Sequence, residues 1–185
     1  MEWPANPFWD YSLALYRHAA VEAACLELQR RHGLDVNLVL LCCWQASIGG
    51  ALDAGSLERA QEAVASWQAE VVRPLRALRQ RLKVRLAQPE PDSIAERWPG
   101  LAGTLRRRAL ALELDGERLA QLALAQALVS APAGAPPGVA LAGVNLRNYW
   151  LFDGRDRHAL QSLLTAAFPA ATPAAVADAI AWLED

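Results

Sequence analysis

The sequence predicts an all-α fold: a single-domain helical bundle of about six to eight helices, with a buried central helix near residues 35–48. Three observations carry this reading. Every strong apolar periodicity has the helical spacing of 3 and 4 residues, and no stretch alternates as a strand would. The stretch GLDVNLVLLCCWQASIGG, residues 33–50, is apolar all round, as a helix enclosed by other helices must be. The chain has 185 residues, 54% hydrophobic and 21% charged, which is enough for one ordered domain with a real core.

The elements follow in order. In ANPFWDYSLALYRH, Asn6 is placed as N-cap and Pro7 at the first helical position, where a missing N–H costs nothing. A second helix over roughly 20–32 repeats Val21, Ala24, Cys25 and Leu28, sets Glu27 four before Arg31 as an ion pair, and ends at Gly33. Asp35 then caps the central helix, with Leu34 and Val39 as a hydrophobic staple. Asn37 falls on the face of Leu41, Trp44 and Ile48, so it is read as a buried amide. From about Leu57 to Val84 apolar residues recur as one long buried seam, kinked at Pro74. A Pro-rich connector, residues 87–93, leads to a helix over about 101–129 that Gly116 weakens. Residues 130–143 read as a Pro/Gly-rich linker to a smaller C-terminal helical part, 144–185, with helices near 144–151, 156–167 and 172–183.

Composition narrows the function. Net charge is −2, so nucleic acid is disfavoured as a partner. The longest apolar run is too short to span a bilayer, and the N-terminus does not read as a signal peptide, so a cytoplasmic location is expected. Three cysteines, two of them adjacent, imply no disulfide framework and are read as core. His18, His32 and His158 form no H-x-x-x-H or E-x-x-H pattern. No phosphate-binding glycine loop, no G-x-S-x-G and no aspartate-rich cation cluster occurs. No catalytic residue, cofactor or metal is therefore assigned. Glu113 and Glu117, one turn apart, read as a solvated ion-pair face beside Arg106–Arg108 and Arg118. Asp153 and Asp156 read as a turn neutralised by Arg155 and Arg157.

Two candidate sites remain. Residues 73–108 carry 10 basic and 3 acidic groups, and Arg73, Arg76, Arg79, Arg81 and Lys83 form a candidate interaction surface. Internal ion pairs with the acidic flanks, or nucleic-acid phosphates, are the other uses of the same arginines. Seven tryptophans are many for this length, and those at positions 9, 44, 67 and 182 read as core anchors. The alternative is an aromatic pocket of Trp9, Tyr16 and Trp44 with Asp35 and Asn37 as polar fixtures.

The motifs FWDYSLALY, VEAACLELQRRHGLDVNLVLLCCW and VVRPLRALRQRLK resemble the signature of a small uncharacterised all-helical bacterial family, a domain of unknown function. The resemblance covers roughly residues 8–130. A Pro-Gly pair usual between the first two helices is replaced here by Ala19-Ala20. It implies a helical fold and transfers no catalytic residue or cofactor. The function expected is thus a non-enzymatic protein-interaction or regulatory module with an unidentified protein partner or a homo-oligomeric state. The alternative is a small-molecule-binding bundle or enzyme using the aromatic pocket.

Overall fold

The computed structural model describes residues 2–128 and 134–184. Among them there is no strand, and the fold is an all-α bundle. The elements are α1 (Pro7–Leu15), α2 (Ala19–His32), α3 (Val36–Ser47), α4 (Ala54–Trp67), a π-helical turn (Gln68–Val72), α5 (Arg73–Ala87), the single-turn α6 (Ile94–Arg97), α7 (Pro99–Ala127), α8 (Val139–Tyr149), α9 (Arg157–Ala167) and α10 (Pro173–Glu184). The elements outnumber the expected helices mainly because the 57–84 stretch divides and α6 is a separate turn.

Local chemistry sets the helix ends. Asn6 accepts the Trp9 N–H at 3.1 Å, with Pro7 opening α1. Asp35 accepts the Asn37 N–H at 2.8 Å, and Leu34 and Val39 are both buried beside it. Gly33 closes α2 at φ +69°, a left-handed conformation that side chains resist. Thr172 caps α10 through the Ala175 N–H. Pro74 explains the π-helical turn. Its ring would collide with the Glu70 carbonyl in a regular helix. The chain widens instead, and the Arg73 N–H reaches back to the Gln68 carbonyl. The expected kink at Pro74 therefore takes the form of a π turn.

The chain divides into two compact units, Met1–Gln61 with Leu124–Asp185, and Glu62–Ala123. In the first, α3 packs on α8, α8 on α10, α10 on α9, α9 on α2 and α2 on α3, a closed ring, with α1 on α3. Its core is leucine: Leu28, Leu38, Leu40, Leu41, Leu146, Leu160, Leu163 and Leu164 are fully buried. Each contributes about 1.5–3 kcal/mol of apolar burial. Nearly all of α3 is buried, as its unbroken apolar sequence requires. None of the seven tryptophans is fully buried, and Trp182 is 53% exposed beneath the Arg147 guanidinium.

The second unit is an antiparallel helical hairpin in which the end of α4, the π turn and α5 face α7. The seam expected to continue through Val84 stays buried only as far as Val72, and α5 buries no side chain. Its leucines are periodic, but Leu75 and Leu82 are only half-buried and Leu78 is exposed.

The expected linker needs one correction. Residues 130–133 lie outside the described residues. Pro136, Pro137 and Gly138 break the helix, but α8 begins at Val139, inside the stretch read as linker. Val139-Ala140-Leu141-Ala142 has no helix-breaking chemistry of its own. Gly143 lets α8 lie against α10, since a Cβ there would sit 3.2 Å from the Ala179 carbonyl oxygen.

Candidate functional site

In the first unit, chemistry concentrates where the end of α2, the start of α3 and the α8–α9 loop meet. Asp156 is completely buried. Arg31 lies 2.7 Å from one carboxylate oxygen, and His32 Nε2 lies 2.9 and 3.0 Å from the two. A carboxylate only accepts, so Nε2 carries the proton. The Asp153 N–H completes the set at 2.9 Å. Asp153 in turn pairs with Arg155 and, at 3.3 Å, with Arg31. Hydrogen bonds from the Arg155 side chain and backbone hold the Asp153 carboxyl well below the usual carboxylate range. The reading of this stretch as a locally neutralised turn is therefore corrected for Asp156, whose partners are Arg31 and His32 from α2. Among the described residues Arg31 pairs with Asp156 and Asp153 rather than with Glu27, four residues before it on the same helix.

Beside this set, the Asp35 N–H donates to the Tyr149 hydroxyl at 3.1 Å, and the His32 ring lies 5.8 Å from that of Trp150. A recess of about 300 Å³ is lined by Arg147, Asn148, Tyr149, Trp150 and Leu151. A smaller one, about 130 Å³, is lined by Tyr11, Ala14, Leu15, His18, Ala166 and Ala167.

The five residues of the expected aromatic pocket fall in several places. Trp44 stacks on the buried Phe8, ring centroids 5.1 Å apart, and so joins α1 to α3. Trp9 is half-buried on α1, and Tyr16, at its end, hydrogen-bonds the Cys25 thiol. Asp35 caps α3, and Asn37 is buried in its first turn, about 10 Å along the helix from Trp44. None of the five lines either recess. The thiols are inert: burial pushes Cys25 up to about 11 and raises Cys42 and Cys43 far above the usual range. Among the described residues no cluster of His, Cys, Asp or Glu could hold a metal ion.

The basic stripe lies in the second unit. Arg76 pairs with Glu113 and Glu117, and Arg79 with Glu113. Gln68 adds a bond to Glu117, and the Trp67 indole donates to the Gly116 carbonyl at 2.9 Å. Gly116 permits that approach, because a Cβ would meet Val72 at 3.3 Å. Glu113 is only 5% exposed, so the reading of Glu113 and Glu117 as a solvated face is corrected. Their ion-pair partners Arg76 and Arg79 come from α5. Arg73, Arg81 and Lys83 remain exposed.

Burial alone would raise the Glu113 carboxyl. Hydrogen bonds and charge from Arg79, then Arg76, outweigh it and hold the group below its usual value. A depressed carboxylate stabilises the fold above its unfolded pKa, about 4.3, and that contribution is lost as pH falls through the folded value. The hairpin is therefore expected to hold its stability from neutral pH to about 5 and to loosen below about 4.5. Glu113→Gln should cost about 1–3 kcal/mol at pH 7, discounted because Arg76 is over a third exposed, and should flatten the acid limb. Hydrogen exchange of α5 and α7 amides at pH 7 and pH 4, corrected for intrinsic rates, checks both.

A family model described as "Protein of unknown function (DUF2390)" matches residues 7–124, from the first residue of α1 to near the end of α7. The chain belongs to this family. No curated protein and no solved structure matches it. The DUF2390 span contains α4, α5, α6 and all but the last three residues of α7, with Arg31 and His32, but not Tyr149, Asp153 or Asp156. Among the described residues of this DUF2390 member, no helix is long and apolar enough to cross a membrane.

Proposed function

We propose that the chain is a non-enzymatic protein-interaction module that docks an acidic partner on the outer face of α5. One observation carries this reading. No acidic residue lies between Val71 and Pro89, while α5 presents Arg73, Arg81, Lys83 and Arg85 to solvent. Leu78 and Val84, 40% and 64% exposed, lie among these charges. Arginine interleaved with apolar side chains is the composition of a protein-binding surface, and the charge favours an acidic partner. Arg76 and Arg79 have a different role. They hold α5 against α7 and so present the outer row rigidly. The polar corner in the first unit supports a ligand less well, because Arg31, His32, Asp153 and Asp156 already satisfy one another.

A photo-crosslinking residue at Arg81, used in the protein's own host, tests the reading. The expected result is a discrete adduct with an acidic protein, lost on Arg73→Glu with Lys83→Glu and weakened by salt. An adduct pattern that the charge reversals leave unchanged, or that matches the one from a crosslinker at Gln161 on α9, refutes it.

A further inference from the structure

The second unit has 62 residues, yet its buried apolar side chains are only Val64, Val72, Ala109 and Ala120. It exposes eleven large apolar side chains, seven of them on α7 or at its start. An isolated helical hairpin with so small a core is a poor folding unit, and the usual remedy is to share a core with another chain. On α7 the exposed leucines are ordered. Leu105, Leu112 and Leu119 repeat at seven residues, with Leu101 a turn before, and are 52%, 56%, 42% and 72% exposed. The row lies beside the face formed by Ala109, Glu113, Gly116 and Ala120, which is buried inside the hairpin.

We propose that this row of α7 is a homodimer interface, occupied by α7 of a second copy running antiparallel. The sequence is self-complementary about Leu112. Leu105 and Leu119 stand seven residues to either side, so a two-fold axis near Leu112 brings Leu105 of one copy beside Leu119 of the other. Arg108 and Asp115, the charged members of the same strip, stand four before and three after. The same axis sets each Arg108 beside the Asp115 of the second copy. Both are exposed, and neither is ion-paired within the described residues. Seven-residue spacing keeps one strip of a helix in register with its neighbour. The strip runs about 27 Å along the helix, and the association expected is micromolar. This inference goes beyond the α5 reading: it uses another helix and stands whether or not α5 binds a partner.

Sedimentation equilibrium of the full chain from about 1 to about 200 µM tests it. A reversible monomer–dimer equilibrium is expected. Leu112→Asp should leave a monomer at every concentration, with an unchanged helical spectrum because the site is exposed. Arg108→Asp and Asp115→Arg should each weaken the dimer about tenfold, and the two together should restore it. Leu112→Cys should cross-link to itself under mild oxidation, while Leu114→Cys, exposed on the opposite side of α7, should not. A monomer throughout the range, a dimer that Leu112→Asp leaves intact, or a double charge swap no better than the single changes overturns the proposal.

Discussion

Replacing Asp156 by alanine is expected to destabilise the first unit by about 3–5 kcal/mol. The carboxylate is completely buried and holds the Arg31 guanidinium, the His32 ring and the Asp153 N–H together. Without it, Arg31 keeps only Asp153, at 3.3 Å and partly solvated, and its charge remains largely uncompensated. The His32 Nε2–H loses its acceptor too. The loss falls where α2 meets α9, so it acts on the packing of the ring rather than on one helix end. Asp156→Asn should cost less, about 2–3 kcal/mol, since an amide oxygen still accepts one bond while the NH2 faces donors. The informative variant is double. Arg31→Leu with Asp156→Leu removes both charges, and breaking a pair costs more than replacing it with apolar side chains, so its loss should be well below the sum of the single changes. Urea unfolding of the four proteins measures this. A loss below about 1 kcal/mol for Asp156→Ala would show that the cluster is not a structural tie.

The fold was legible in the sequence wherever the determinants are local. Asn6, Gly33, Asp35 and Thr172 cap helices through bonds to residues three positions away or fewer, or through their own φ, and a reader of the chain sees all of that. The buried α3 was equally plain, because a helix with no polar face has only one stable environment. What did not show was every interaction made across the chain. His32 and Asp156 are 124 residues apart, and Arg155 and Arg157 offered Asp156 nearer partners by sequence. Arg76 and Glu113 are 37 apart, and Arg106–Arg108 lay closer to Glu113. Distance along the chain misled in each case. Periodicity misled once: Leu75, Leu78 and Leu82 mark an amphipathic face of α5, and spacing cannot say whether anything covers it. Of the candidate site, the basic row was visible. That Arg76 and Arg79 turn inward while Arg73, Arg81 and Lys83 face solvent was not, because it depends on where α7 lies.

Asn145 is the other residue the sequence concealed, and its loss should match that of Asp156. It lies in the middle of α8, completely buried, where an amide is an indifferent helix former. Its Nδ2 donates to the Cys42 carbonyl at 3.1 Å and the Gly50 carbonyl at 3.0 Å, and its Oδ1 accepts the Leu52 N–H at 2.8 Å. One side chain thus satisfies three backbone groups, on α3 and on the segment that leads from α3 to α4. Asn145→Ala strands all three away from water, with an expected loss of about 4 kcal/mol, a large part of the stability of an ordinary domain. Asn145→Asp distinguishes hydrogen bonding from packing, because the volume is nearly the same. At neutral pH it turns a second carboxylate oxygen toward two carbonyls, so it should be at least as damaging as alanine. Once protonated it regains one donor. The folded protein thus favours the neutral acid, and the group's folded pKa lies above its unfolded value of about 3.9. Its relative stability is therefore greatest below that value and falls as pH rises through the folded pKa. Urea titrations at pH 4 and pH 7, each referred to the native protein at the same pH, should show the Asn145→Asp deficit smaller at pH 4. An equal deficit at both would mean that the site tolerates the charge through water, and that the three bonds do not set the position of the α3–α4 segment.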